Sequence, residues 1–130
     1  MHALDTNTLI YFFKGMGAVA DRLLSQRPSQ IAIPAVVVYE LEVGLAKSSS
    51  PKKRRLQLET LLDRVRILPL DLEEAREAGH IRARLERKGT PIGLIDSLIA
   101  GTARFHGATL VTHNTREFSR IDGLKVVDWY

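Results

Sequence analysis

Gln30-Ile-Ala-Ile-Pro-Ala-Val-Val-Val-Tyr-Glu-Leu-Glu-Val-Gly-Leu-Ala-Lys47 is the stretch on which the fold class turns. Its head, Gln30 to Ile33, is a short apolar run of strand character. Pro34 then suits the first turn of a helix, where a missing N–H leaves no partner unsatisfied, and the helix runs on to about Lys47. A short apolar run followed by a longer amphipathic one recurs in both directions. That alternation is the signature of strands joined by crossover helices in a parallel sheet, an α/β fold.

Toward the N-terminus, His2 to Leu4 reads as a strand closing on Asp5. Thr6 or Asn7 is available to cap the helix that carries Leu9, Ile10, Phe12 and Phe13. A second helix, Ala18 to Ser25, stops before Pro28. Toward the C-terminus, Ser48-Ser49-Ser50-Pro51 punctuates the chain, and Pro51 opens a helix to Arg64. A strand from Val65 to Leu68 follows, then a helix from Asp71 to Arg87 ended by Lys88-Gly89. After Thr90-Pro91 a helix spans Ile95 to Phe105 and ends near Gly107. Ala108 to Thr112 is the clearest strand, and Lys125 to Val127 is the last. With 130 residues, 45% of them hydrophobic, and no repeat or linker, the whole of residues 1–130 reads as one domain.

The chain contains no cysteine. Disulfide frameworks, thiolate metal sites and cysteine nucleophiles are therefore excluded, and a cytoplasmic location is the default expectation. No apolar segment approaches the roughly 20 residues that cross a bilayer, so a soluble protein without a membrane partner is expected. Nineteen basic against fifteen acidic residues give a net charge of +4, which favours phosphate backbones.

In open parallel sheets, ligands bind at the carboxyl ends of the strands, near the point where strand order reverses. Asp5 ends the first strand, and Asn114 and Glu117 follow the fourth. Glu40 and Asp96 lie early in helices. Asp96 interrupts an apolar face, since its neighbours at three and four positions are Ile92, Gly93, Ile99 and Ala100. A buried carboxylate there must be neutralised, hydrogen-bonded or bound to a cation. Glu40 has Val36, Val37, Val43 and Gly44 at the same spacings, and Glu42 is equally surrounded by Val38, Tyr39, Leu45 and Ala46, so periodicity leaves both open. Asp5 also suits a turn or cap, and Asn114 with Glu117 fits a capping box. Carboxylates gathered at one end of a sheet repel unless a cation sits among them. Oxygen-only ligands suit Mg2+ or Mn2+ rather than zinc. Such a site activates water and stabilises charge on a phosphoryl oxygen, which with the net basic charge points to phosphodiester hydrolysis.

Leu4-Asp-Thr-Asn7, Val38-Tyr-Glu-Leu-Glu-Val-Gly44, Pro91-Ile-Gly-Leu-Ile-Asp-Ser-Leu-Ile-Ala-Gly101 and Val111-Thr-His-Asn-Thr-Arg-Glu-Phe118 together resemble the ordered motifs of PIN-domain toxins of the VapC group. The likeness spans nearly the whole chain. It implies a three-layer α/β/α sandwich around a parallel sheet of about four to five strands. It also implies an acidic metal site of Asp5, Glu40 and Asp96, preferring Glu40 to Glu42. Many relatives carry an aspartate where this chain has Asn114, so Glu117 is expected to supply the missing charge. Thr6 and Thr112 are expected either to orient carboxylates or water by hydrogen bonds or to serve local structure, Thr6 as a helix cap and Thr112 by its strand propensity. The implied activity is that of a magnesium-dependent endoribonuclease toxin that blocks translation, with a VapB-like antitoxin as partner and homodimerisation. The stretch Arg87 to Asp96 resembles the enteric toxins that cut initiator tRNA in its anticodon loop.

Arg87, Lys88, Arg104 and Arg116 flank the Asp96 and Asn114 motifs and are the best placed of the basic residues to contact RNA phosphates. Lys52-Lys-Arg-Arg55 occupies a helix first turn, where the macrodipole disfavours cations. Ile10, Tyr11, Phe12 and Phe13 cannot all face one core, so the surplus is expected either to line a groove for a partner helix or to be buried under the second helix. His2, His80, His106 and His113 lack metal-ligand spacing and are expected near surfaces. There is no phosphate-binding glycine loop, nucleophile elbow or zinc-spaced histidine pair. A signalling receiver domain needs adjacent acids after its first strand, where this chain has Asp5-Thr6-Asn7. A catalytically silent, RNA-binding PIN domain is the surviving alternative.

Overall fold

The computed structural model describes residues 1–130. Five short strands, β1 (His2–Leu4), β2 (Ile31–Pro34), β3 (Arg66–Leu68), β4 (Thr109–Val111) and β5 (Val126–Val127), alternate with α1 (Thr6–Lys14), α2 (Val19–Leu24), α3 (Ala35–Lys47), α4 (Lys52–Leu62), α5 (Leu72–Arg87), α6 (Leu94–Phe105) and α7 (Thr115–Phe118). All strands are parallel in the order β3-β2-β1-β4-β5. Helices flank this sheet as a three-layer sandwich, as the alternating pattern requires, because strands this apolar must be covered on both faces.

The chain first steps from β1 outward to β3, then returns to place β4 on the other side of β1. The reversal leaves a crevice at the carboxyl ends of β1 and β4. Ala3 sits opposite Ala32 in β2 and Leu110 in β4, and all three are fully buried. Ala100 and Ala103 of α6 are likewise fully buried, so small residues let this helix lie close to its neighbours. The packing between α5 and α6 is closer still: a Cβ on Gly101 would stand within 2.7 Å of Ala78 backbone and side-chain atoms. Only glycine fits there, and the close approach fixes the axis of the helix that carries Asp96.

Most expected element ends shift by a residue or so. Pro34 is a correction of kind, because it ends β2 opposite Leu68 and caps α3 rather than occupying the helix's first turn. Its φ of −60° and ψ of 140° are extended, and at the last strand position the sheet no longer needs its N–H.

Candidate active site

Asp5 follows β1 directly and is 6% exposed. Its N–H donates to the Val111 carbonyl at 3.1 Å, locking it to the end of β4. Its carboxylate accepts the Thr8 N–H at 2.9 Å, and the Thr8 hydroxyl donates to Val111 at 3.1 Å. Asp5 itself is therefore the cap of α1, in place of Thr6 or Asn7. One carboxylate oxygen serves the cap, and the side chain stands on the seam between the two central strands. Thr6 turns its hydroxyl onto the Glu40 carboxylate from α3. Asp96 enters from the first turn of α6. Asp5, Thr6, Asn7, Glu40, Asp96 and Ile99 line one small open pocket of about 120 Å³. Asn7, which the sequence offers only as a possible cap, joins the pocket wall and closes the Asp5-Thr6-Asn7 motif.

Burial, followed by the charges of Glu117, Asp5 and Glu40, pushes the Asp96 carboxyl up from 3.8 to about 6. A first-turn position would by itself favour the carboxylate, so burial, with the crowding of like charge added to it, outweighs the helix dipole. None of these four acids is among those that pair with Arg, Lys or His anywhere in the fold. No three acidic side chains close into a preassembled cage. What suits a hard divalent cation is the donor chemistry: oxygen atoms only, with negative charge that the protein leaves unmatched.

The ambiguity between Glu40 and Glu42 is geometric. Two residues apart on a helix means about 200° of rotation, so one faces the pocket and the other faces away. Glu42 meets the Arg55 guanidinium at 2.6 Å, and that bond holds its carboxyl below the usual range. Arg55 also lies 3.6 Å from Glu59, so this member of the Lys52–Arg55 run is occupied within the fold. Arg54 lies over the Phe13 ring at 5.2 Å.

Asn114 and Glu117 do not form the expected capping box. Asn114 sits at the cap position of α7, but its side chain donates to the Glu117 carboxylate instead of serving the helix. The buried Thr112 hydroxyl accepts the Asn114 N–H at 3.0 Å and so holds the turn that presents Asn114.

Of the basic candidates, Arg116 and Arg87 are exposed. Arg87 lines an open depression of about 360 Å³ with His80, Arg84, Arg104 and Asp122. Lys88 lies 3.8 Å from Asp122, which also holds Arg84 at 3.0 Å. Arg104 corrects expectation: it donates to Glu77 at 2.7 Å and to the Asp122 carbonyl at 3.0 Å. Lying eight residues past Asp96 on α6, or about 12 Å of helix, it braces helices rather than flanking the pocket. His106 is a second correction, being half-buried against Glu74 at 2.7 Å. The expected apolar surplus does line a groove of about 440 Å³, where Phe12 and Phe13 meet Leu24, Leu56, Leu61 and Arg64. Leu24 and Leu56 are 74% and 69% exposed. No helix is long and apolar enough to cross a membrane.

The family model described as PIN domain matches residues 3–124. The tRNA(fMet)-specific endonuclease VapC of Salmonella typhimurium is 38% identical over 126 residues, covering 97% of this chain and 96% of its own length. Ribonuclease VapC2 of Haemophilus influenzae is 34% identical, covering 98% of this chain and 97% of its own. Among solved structures, VapBC2 from Rickettsia felis, bound to a DNA fragment from their promoter, matches with a TM-score of 0.90 at 34% identity, covering 99% of this chain and 98% of that one.

Proposed function

This chain belongs to the VapC group of the PIN-domain family, whose members cleave RNA, and from that premise we propose that it is a magnesium- or manganese-dependent endoribonuclease toxin. The single observation that carries the metal dependence is the group formed by Asp96, Asp5, Glu40 and Glu117, negative charges brought together without an internal cation. Asp5, Glu40 and Asp96 would hold the ion. When bound, it supplies Lewis acidity toward a phosphoryl oxygen and lowers the pKa of a coordinated water.

The protein's own groups do the positioning. The cap and strand bonds of Asp5 fix its carboxylate before substrate arrives, and Thr6 fixes Glu40. Asn114 holds Glu117, whose charge is near enough to be felt by Asp96. Arg116, Arg87 and Lys88 are the candidates for steering phosphates. The RNA is structured, with initiator tRNA as the proposed target by likeness to the Salmonella enzyme, and its anticodon loop by the resemblance of the stretch from Arg87 to Asp96. Cleavage of that RNA blocks translation in the cytoplasm. The partner is a VapB-like antitoxin, by likeness to the VapBC complexes, and its apolar segment fits the groove of Phe12, Leu24 and Leu56. Residues 1–130 act as one PIN domain and assemble as a homodimer.

The test compares wild type with Asp96→Asn on structured RNA, with magnesium and with chelator. Cleavage by wild type with magnesium alone is the expected result. Equal cleavage by both proteins, or indifference to chelator, overturns the proposal.

A further inference from the structure

We propose that the rings of Tyr11, His113 and Tyr130 form a stacking platform that seats an unpaired base of the RNA beside the acidic pocket. The inference rests on the RNA-cleaving reading and names how the substrate is held. His113 and Tyr130 lie nearly parallel, with centroids 4.3 Å apart and planes at 26°. Tyr11 meets both edge-on, at 5.9 and 4.9 Å. The assembly is braced from outside the rings: Asp128 holds His113 Nδ1 at 2.9 Å and accepts the Tyr130 N–H at 2.8 Å. The Ala18 N–H bonds the Tyr130 carbonyl at 2.7 Å.

Tyr11 is half-buried and packs on the core, but packing alone does not call for His113 and Tyr130 to stay open. The adjacent Trp129 is 4% exposed and serves the core, whereas Tyr130 is 43% exposed and the His113 side chain 48%. Location ties the platform to the chemistry. His113 immediately precedes Asn114, which holds Glu117, and Tyr11 lies on the helix that Asp5 caps. The exposed Arg116 follows three residues after His113, on α7. Rings already stacked and braced lose little freedom when a base arrives, and stacking is the usual way a protein holds a splayed base of loop RNA. A base in a paired stem has no free face to offer, so the platform selects single-stranded or looped substrate.

The test uses the full chain carrying Asp96→Asn, so that RNA is bound without being cut, and a hairpin with 2-aminopurine at successive loop positions. Quenching of the fluorophore on binding is expected at one loop position. His113→Ala and Tyr130→Leu should abolish the quench and weaken loop binding roughly 5- to 150-fold. Tyr130→Phe should retain both, and binding to a blunt duplex should not change. Melting curves confirm that each variant is folded. An unchanged quench in His113→Ala and Tyr130→Leu overturns the platform, as does equal weakening toward loop and duplex. Loss of antitoxin binding alone, with RNA binding intact, overturns it too and marks the rings as a protein contact. If the chain with Asp96 intact fails to cut the hairpin while the quench still depends on the rings, the nuclease reading falls and the platform stands.

Discussion

Two acidic regions of this molecule, one at each end of α6, are treated oppositely by the fold. At its C-terminal end, Glu74 is 3% exposed and meets His106, Glu77 meets Arg104, and Asp122 meets Arg84. Burial would push the Glu74 carboxyl up, but the backbone N–H groups of its own helix start and the His106 ring together hold it below the ordinary range. At the N-terminal end of α6, burial pushes Asp96 up, and the neighbouring carboxylates push it the same way. Acids matched with cations serve the fold. Acids left unmatched around a pocket are, on the reading proposed above, the ones that would take a cation from outside.

The largest test of that contrast is Asp96→Asn. Cleavage measured with excess magnesium should fall on the order of 10³-fold, while circular dichroism stays native. The converse variant, Glu74→Ala, removes a buried carboxylate that also completes the capping box with Asp71, and should cost about 2 kcal/mol of stability in urea titrations. Its cleavage rate per folded molecule should match wild type. If Glu74→Ala abolished activity without loss of stability, the division between the two regions would be wrong.

A finer test uses pH. The folded-state pKa of Asp96, about 6, lies above its ordinary 3.8. Between those values the folded chain holds more protons than the unfolded one, so this group's contribution to stability falls as pH rises through that window. In chelator, Asp96→Asn should therefore melt above wild type by a margin that opens from about pH 4 and levels off past pH 6. The plateau should be roughly 1 kcal/mol after allowance for solvent screening of a half-exposed group. On the proposed metal site, magnesium should reverse the order, because the wild type keeps the Asp96 carboxylate that would hold the ion. Glu74 has the opposite sign: its stabilisation is present above its unfolded pKa and is lost as pH falls through the depressed folded value. A margin independent of pH would remove Asp96 from the acidic group. The smallest effect belongs to Glu42→Gln, which breaks only a surface pair with Arg55 and should leave cleavage and melting temperature essentially unchanged. Glu40→Gln, two residues away, should abolish cleavage.

Much of the strand and helix layout is legible because it rests on local pattern. The strands read from short apolar runs appear within about a residue of expectation, and Gly89 and Gly107 follow their helices with φ of 73° and 64°. The candidate acids stand out for the same reason, as charges that break an apolar face. Local pattern fails where a residue has two uses. Asp5 is cap and pocket wall at once, and Asn114 and Glu117 have capping-box spacing but bond side chain to side chain.

The sequence by itself determined the class of fold and a short list of candidate carboxylates, because periodicity records which side of each element is apolar and which residues interrupt it. Only the tertiary structure decided the strand order β3-β2-β1-β4-β5, the turning of Glu40 toward Thr6 and Glu42 toward Arg55, and the commitment of Arg104 and His106 to Glu77 and Glu74. Those outcomes depend on which element packs beside which. A charge becomes a brace or a ligand according to the neighbour that packing brings within hydrogen-bond reach, and no single helix or strand carries that information.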